Sequence, residues 1–212
     1  MSKVKKMISY FKHDDKKIRD NRWIFTSMLV GALFSLLAAF VLSVEAVELA
    51  KNPNAELSCS VNVVINCATV AAHPTSEMFG FTNSFIGLMA EPVVIIIALA
   101  GLMGITFPRL FMFFAQIGYT LGLIFALYLF YLSMFVIGAL CPWCLLVTAS
   151  TIFVWFSMTR YNIRENNLYL PKKIQKAAHT FIEKDYDKLV LGVLIAAIVA
   201  AIFLKYGADL FA

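Results

Sequence analysis

Charged residues are scarce in this sequence, and hydrophobic residues are correspondingly abundant. Only 15% of the 212 residues are charged, 61% are hydrophobic, and the mean hydropathy is +0.80. Soluble globular domains carry about 25% charged residues. The shortage of charge therefore excludes an ordinary soluble domain, and the long segments without any charge indicate a chain that crosses a membrane several times.

The charge-free segments predict five transmembrane helices. A helix that rises 1.5 Å per residue needs about 20 apolar residues to cross a hydrocarbon core of about 30 Å. The segment 110–158 is too long for one crossing, and Gly138 to Pro142 is the one place inside it where a glycine and a proline lie close together and predict a turn. The first charge-free run, 23–44, is too long for the apolar part of a signal peptide. The predicted helices are 23–45, 88–107, 110–137, 142–159 and 188–206.

The basic residues predict the orientation of these helices. Lys and Arg are enriched in the cytoplasmic segments of membrane proteins, and many of them precede Trp23. With the N-terminus in the cytoplasm, five crossings place 16 of the 18 Lys and Arg inside, and only Lys51 and Lys205 lie outside. We therefore expect a multi-pass protein of the plasma or inner membrane whose basic residues meet membrane lipid rather than nucleic acid. The predicted regions are a basic cytoplasmic segment 1–22, a catalytic domain 23–160 with an outer loop 46–87, a cytoplasmic amphipathic linker 161–187, and a fifth helix with an outer C-terminus, 188–212.

Cysteine is also rare, and its positions are informative. The four cysteines form two pairs, Cys59 with Cys67 and Cys141 with Cys144, and the predicted topology places all four on the outer face. Oxidising compartments permit disulfides, whereas a reducing cytosol discourages them. Four cysteines allow three pairings, and a thiol-exchange enzyme would use more than one of them in turn.

The motif Cys141-Pro142-Trp143-Cys144 is expected to open a helix, because proline is favoured at the first helical position. Cys141 would then be the N-cap, close to the positive end of the helix dipole, which favours the reactive thiolate. Haem attachment is excluded because Leu145 stands where a histidine is required. The outer pair lacks the short spacing of a zinc knuckle, so no metal is expected.

Cys141 and Cys144, at the start of a predicted transmembrane helix, need an electron acceptor. In an apolar helix bundle, the accessible two-electron acceptor is a lipid-soluble quinone. Cys59 and Cys67, which we call the loop pair, lie in the outer loop and can exchange electrons with a protein thiol outside the membrane.

Three features in this order resemble the vitamin K epoxide reductase family, specifically its bacterial thiol-oxidising branch. They are a loop pair with seven intervening residues, a segment Phe79-Gly80-Phe81-Thr82-Asn83-Ser84-Phe85-Ile86-Gly87 similar to the family pattern F-G-x-x-N-x-x-x-G, and the CxxC at the start of the fourth helix. The resemblance covers residues 23–160. It implies an all-α membrane protein, with a four-helix transmembrane bundle around a quinone plus a fifth transmembrane helix.

The resemblance also implies roles for individual residues. Cys144 would react with the quinone, Cys141 would exchange with Cys59 and Cys67, and Asn83 would hydrogen-bond a quinone carbonyl. Phe79 and Phe85 would line the quinone site, and the quinone would be menaquinone or ubiquinone. Because the chain ends at Ala212 without a thioredoxin-like domain, the electron donor is expected to be a separate thioredoxin-fold, DsbA-like protein. The implied activity is that of a quinone-dependent thiol-disulfide oxidoreductase that supports disulfide formation in exported proteins.

Several residues have two interpretations. His73 replaces a hydroxyl residue of the family and is either a proton shuttle or a solvated loop residue. Thr148 replaces a tyrosine of the animal members, which weakens any prediction of epoxide reduction. Asn83 could instead be a helix N-cap. Glu91 lies near the start of the second predicted helix and is therefore a functional candidate, although an interfacial carboxylate is the more ordinary interpretation.

Three other functions compete with a thiol oxidase of this family. A DsbB-like oxidase of a different fold performs similar chemistry, but its CxxC precedes the wider pair, which is the reverse of the order here. A structural membrane protein would use the four cysteines only to staple loops. A reductant-delivery protein would run electrons outward from the quinol, and the sequence leaves the direction of flow open.

Overall fold

The computed structural model describes residues 14–52, 55, 57, 59–60 and 62–207, and no strand occurs in this part of the chain. The helices are α1 (Lys16–Lys51), α2 (Cys67–Ala72), a 3-10 helix (Pro74–Glu77), α3 (Ser84–Leu102), α4 (Arg109–Leu132) with a π-helical extension (Ser133–Ile137), α5 (Pro142–Arg164), α6 (Lys172–Glu183) and α7 (Tyr186–Tyr206).

Five helices of the described chain are long and apolar enough to cross a membrane: α1, α3, α4 with its extension, α5 and α7. The predicted all-α membrane fold is therefore confirmed. Several boundaries differ from the prediction. The first helix begins at Lys16 rather than at 23, and α5 continues to Arg164 rather than ending at 159. The first helix continues to Lys51, because the Glu and Lys residues after Val44 are good helix formers. The second begins at Ser84 and ends at Leu102, because Gly104 (φ +87°) turns the chain.

Four of these helices form a bundle. Helix α1 packs against α3 and α5, and α4 packs against α5. Small residues allow the close approach of α1 and α3. A Cβ atom added to Gly87 would lie 2.8 Å from the Cβ of Ala39, and one added to Gly101 would overlap the ring of Phe25. Helix interfaces in membranes favour such small residues. The core of the bundle includes the fully buried side chains of Phe25, Met28, Ile97, Met112, Val154 and Met158.

Helix α7 lies outside this bundle. It packs against α5 and α6, and most of its apolar surface is exposed, as expected for a helix that faces lipid. Its last turn is attached to the end of α4: the amine of Lys205 and the hydroxyl of Tyr206 both donate to the carbonyl of Met134, the latter at 2.8 Å. The end of α7 and the CxxC therefore occupy the same end of the bundle.

The opposite end of the bundle carries ion pairs and charged contacts. Arg160, near the end of α5, pairs with Asp187 at 2.7 Å, and Lys17 pairs with Glu165 at 3.0 Å. Arg109 donates to the carbonyl of Asn166. The separation of charged contacts from the cysteines agrees with the charge distribution read from the sequence, whereas the side of the membrane that each end faces remains a prediction.

Candidate thiol redox site

The CxxC motif opens α5 as its sequence predicts. Cys141 is the N-cap (φ −108°, ψ 119°), Pro142 occupies the first helical turn, and the Cys141 sulfur accepts the backbone N–H of Cys144 at 3.4 Å. Hydrogen bonding from the Cys144 side chain lowers the pKa of the Cys141 thiol, and the backbone N–H groups of Cys144 and Trp143 contribute, although burial opposes the shift. Cys141 therefore forms a thiolate more readily than an ordinary cysteine, and the thiolate is the nucleophile in exchange.

The loop pair is a disulfide. Cys59 and Cys67 are bonded, with their Cα atoms 5.6 Å apart. Cys67 is the first residue of α2, whose N-cap Asn66 accepts the N–H of Thr69 at 3.0 Å. Cys59 and Cys67 are 7% and 1% exposed, so the pair lies beneath the surface of the loop rather than projecting outward.

The two pairs meet at one sulfur from each. The sulfur of Cys67 lies 3.2 Å from that of Cys141, and the sulfurs of Cys59, Cys67 and Cys141 all lie within 4.8 Å of one another. Cys141 and Cys144 are free thiols. A thiolate at Cys141 is thus in contact with a disulfide sulfur, which is the arrangement that thiol–disulfide exchange requires.

Backbone hydrogen bonds hold the loop against the start of α5. Leu140 donates its N–H to the carbonyl of Val64 at 2.7 Å, and Asn66 donates its N–H to the carbonyl of Leu140 at 3.0 Å. These bonds form an isolated parallel bridge between Ile65 and Leu140. The bridge joins the residues just before Cys67 and Cys141, and it therefore sets the separation of the two sulfurs. We call it the loop clamp.

Hydrogen bonds on each side of the loop clamp fix the backbone segments that it joins. On the loop side, the carboxamide oxygen of Asn62 accepts the N–H groups of Val64 and Ile65, at 3.0 and 2.7 Å. On the α4 side, the π-helical turn ends at Gly138 (φ +75°), a conformation that favours glycine, and the Ser133 hydroxyl donates to the carbonyl of Ala139 at 2.5 Å.

A cavity of about 1080 Å³ extends from the cysteines into the bundle. Cys67, Cys141 and Cys144 contribute to its lining. The rest comes from mainly apolar side chains of α1, α3, α4 and α5 and from residues of the segment between α2 and α3. Ligand sites are mostly apolar cavities with a few placed polar groups. The volume and the mainly apolar lining are suitable for a lipid-soluble ligand.

Asn83 and Phe79 line this cavity, but Phe85 does not. Phe85 instead stacks on Phe81 at 6.4 Å, so its expected place in the quinone site is not reproduced. Asn83 is the N-cap residue of α3 by position, yet its side chain makes no capping bond; it donates to the carbonyl of Thr75 at 2.7 Å. Its buried Oδ1 atom has no hydrogen-bond partner among the described residues, which leaves a polar atom for a ligand.

The expectation that Glu91 is an interfacial carboxylate is wrong. Glu91 is only 4% exposed and lines the cavity. Its Oε1 atom accepts the hydroxyls of Ser35 at 2.8 Å and Tyr119 at 3.3 Å, while Oε2 has no partner in the described chain. Helix α3 begins four residues earlier than predicted, which moves Glu91 away from the helix end and into the bundle.

His73 also lines the cavity, and its ring has a local role. Its Nδ1 atom lies 2.9 Å from the Thr75 hydroxyl and accepts the backbone N–H of Thr75 at 3.3 Å. His73 is thus the N-cap of the 3-10 helix. It is neither a freely solvated loop residue nor bonded to a described cysteine.

One residue near the cysteines was missed from the sequence. Glu45 is 6% exposed, and both of its carboxylate oxygens lie 3.7 Å from the sulfur of Cys59. The signal was present: Leu42, Glu45 and Leu49 share one face at helical spacing, provided that the first helix continues beyond 45.

Comparison with known proteins agrees with this site. The model of the vitamin K epoxide reductase family matches residues 26–159, a segment that includes all four cysteines, Asn83 and Glu45. A search of curated proteins finds no match. The matched segment covers well over half of the chain and contains the whole four-helix bundle apart from its outermost turns. This protein therefore belongs to the vitamin K epoxide reductase family, a family of membrane oxidoreductases.

Proposed function

We propose that this chain is a membrane thiol oxidase that passes electrons from an external dithiol through Cys59 and Cys67 to Cys141 and Cys144, and from there to a membrane quinone. The observation that supports it best is the contact of 3.2 Å between the sulfurs of Cys67 and Cys141, beside a mainly apolar cavity. One pair is a disulfide and the other is a pair of thiols, so electrons can pass between them by exchange alone.

The internal transfer has two steps. When the loop pair is reduced and the CxxC is oxidised, the Cys67 thiolate attacks the Cys141 sulfur, and Cys144 leaves as a thiolate. Cys59 then attacks Cys67, which re-forms the Cys59–Cys67 disulfide and releases the Cys141 thiolate. Two electrons have moved from the loop pair to the CxxC, and the products are the bonded loop pair and free CxxC thiols of the present structure.

A quinone fits the lining of the cavity. Asn83 and Phe79 are the residues that we assign to hold its ring, and a bound quinone would supply an acceptor of two electrons and two protons. Cys144, which lines the same cavity, is the thiol that we assign to face this acceptor.

The proposed electron donor is a separate thioredoxin-fold protein of the DsbA type. Because Cys59 and Cys67 are both buried, the loop must open before an external thiolate can reach them. Cys59 is the more exposed of the two, so we assign it as the sulfur that meets the donor.

Quinone reduction by the purified protein tests this function. Cys141→Ser and Cys144→Ser are expected to abolish quinone reduction with every thiol donor. Cys59→Ser and Cys67→Ser should abolish transfer from a reduced thioredoxin-fold protein but retain transfer from dithiothreitol, which can reach the CxxC directly. Equal losses with both donors in all four variants would contradict the relay.

The same assay separates the competing functions. A protein whose cysteines only staple loops would keep all four oxidised whatever the state of the quinone, and the free thiols of Cys141 and Cys144 argue against it. A reductant-delivery protein would transfer electrons from a quinol to an oxidised thioredoxin-fold protein faster than in the opposite direction.

Reporter fusions test the proposed location in the plasma or inner membrane. A reporter after Ala212 should lie on the outer face, and one near Asn167 should lie in the cytoplasm. Two reporters on the same side would refute the proposed topology and the extracytoplasmic position of the cysteines.

A further inference from the structure

A buried carboxyl group lies against the loop disulfide. Glu45 is almost completely buried, and its Oε1 and Oε2 atoms are each 3.7 Å from the sulfur of Cys59. Leu42 and Leu49, one turn away on either side of α1, pack on the same group of cysteines. An apolar stripe of α1 is thus interrupted by a single carboxyl at the position that faces Cys59.

The contact with Cys59 changes its chemistry when the loop pair is reduced. A disulfide sulfur has no proton to donate, whereas the thiol of reduced Cys59 can donate its proton to a carboxylate. A leucine at position 45 would continue the apolar contact of Leu42 and Leu49 but could not accept that proton.

The two exchanging cysteines differ in how their thiolates are stabilised. Cys141 is a helix N-cap and accepts the backbone N–H of Cys144. Cys59 precedes α2, belongs to no helix, and is packed among apolar side chains that include Leu57. Thiol–disulfide exchange requires a thiolate, so the proton of Cys59 needs an acceptor close at hand.

We propose that Glu45 is the proton acceptor and donor for Cys59 during exchange between the two cysteine pairs. The proposal rests on the relay described above and adds a proton-transfer residue to it. General acid–base catalysis requires a titratable group within reach of the proton that it moves, and 3.7 Å is within hydrogen-bond reach for a sulfur atom.

The step balances in atoms and electrons. In the mixed disulfide Cys67–Cys141, the Cys59 thiol attacks Cys67 while the Glu45 carboxylate takes its proton. The Cys59–Cys67 bond forms, the Cys67–Cys141 bond breaks, and Cys141 leaves as a thiolate with the bonding electron pair. In the opposite direction Cys141 attacks Cys67, and protonated Glu45 returns the proton to the leaving Cys59.

The charge of Glu45 couples proton transfer from Cys59 to electron transfer between the two cysteine pairs. Glu45 contacts the sulfur of Cys59, and its charge also acts on the thiol of Cys141. The Cys144 hydrogen bond lowers the pKa of the Cys141 thiol overall, and the negative charge of Glu45 is among the influences that oppose this shift. When Glu45 takes up the proton of Cys59 it loses its negative charge, and it then no longer disfavours the thiolate that forms at Cys141 in the same step.

Single-turnover oxidation of the full-length protein tests the proposal. The protein in detergent is fully reduced with dithiothreitol, desalted, mixed with a short-chain quinone and quenched with acid at intervals. Alkylation and non-reducing peptide mapping then quantify the Cys59–Cys67 and Cys67–Cys141 disulfides. The variants are Glu45→Gln, which keeps the shape but removes the proton acceptor, Glu45→Asp, which keeps the carboxyl, and Glu48→Gln, a control on the exposed face of the same helix.

At pH 7, Glu45→Gln should form the loop disulfide at least about tenfold more slowly than the unaltered protein, because general acid–base catalysis typically contributes about 10²–10⁴-fold. The mixed disulfide Cys67–Cys141 should accumulate. The deficit should shrink as the pH is raised towards 9, because hydroxide can then remove the thiol proton in place of Glu45. Glu45→Asp should recover much of the rate, and Glu48→Gln should match the unaltered protein.

Two results would overturn the role of Glu45 and leave the relay intact. One is an unchanged rate in Glu45→Gln at every pH. The other is an equal, pH-independent loss in Glu45→Gln and Glu45→Asp, which would indicate a purely structural residue. If the unaltered protein itself forms neither disulfide after addition of the quinone, the relay fails, and the proposal for Glu45 fails with it.

Discussion

The sulfur of Cys141 lies 3.2 Å from that of Cys67, and Cys67 is already bonded to Cys59. The nearest approach of the two pairs thus involves the second loop cysteine and the first cysteine of the CxxC. The loop clamp between Ile65 and Leu140 fixes the backbone next to these two residues. Cys59 has no comparable attachment to the start of α5 in the described chain.

This difference predicts which mixed disulfide forms. In the double variant Cys59→Ser, Cys144→Ser, the remaining thiols of Cys67 and Cys141 should oxidise to a disulfide under mild conditions, because they are held in contact. The complementary variant Cys67→Ser, Cys144→Ser should form Cys59–Cys141 more slowly, because the loop must shift first. Non-reducing peptide mapping measures both products. Ready formation of Cys59–Cys141 without Cys67–Cys141 would reverse the order of the relay.

The loop clamp itself makes a second prediction. Asn62→Ala removes the acceptor for the N–H groups of Val64 and Ile65 and loosens the segment that bonds to Leu140. Electron transfer from a thioredoxin-fold donor should slow several-fold, because Cys67 and Cys141 spend less time in contact. Transfer from dithiothreitol to the quinone should not change, because it bypasses the loop pair.

Asn62→Asp is the matched control for this experiment, since its carboxylate keeps an oxygen acceptor for the same two N–H groups. Its transfer rate with the protein donor should stay close to that of the unaltered protein. If Asn62→Ala and Asn62→Asp slow both donors equally, Asn62 supports the fold as a whole and has no special role in bringing the two pairs together.

Much of the site was accessible from the sequence because the relevant rules are local. A proline after Cys141 and a second cysteine three residues on are enough to place the motif at a helix start, and the structure confirms the N-cap. The transmembrane helices likewise follow from long runs of apolar residues, each of which is a property of a single segment.

The features that the sequence did not reveal depend on contacts between distant segments. The bridge between Ile65 and Leu140 joins residues far apart in the chain, and nothing in either segment alone indicates it. The burial of Glu45 and Glu91 depends on where their helices begin and end, and shifts of a few residues at α1 and α3 were enough to change their interpretation. Helix ends are decided by turns and packing as well as by composition.

Gly87, the last residue of the segment that begins at Phe79, has a packing role that can be tested separately from the chemistry. It faces Ala39 where α1 and α3 cross, and an added Cβ atom would lie 2.8 Å from the Cβ of Ala39, closer than such atoms approach in proteins. The two helices would have to separate to admit a methyl group. Gly192 offers a comparison, because it is an exposed glycine of α7 with no atom within 4 Å of an added Cβ.

Gly87→Ala should therefore destabilise the protein, whereas Gly192→Ala should not. Overpacking costs about 1–3 kcal/mol, which outweighs the gain of about 1 kcal/mol from replacing glycine by alanine within a helix. Gly192→Ala receives that gain without the clash, so its stability should stay the same or rise slightly. Thermal unfolding of both variants in the same detergent measures the difference. Equal melting temperatures for the two variants would mean that α1 and α3 adjust to the added methyl group at little cost and that close approach at Gly87 is not required by the bundle.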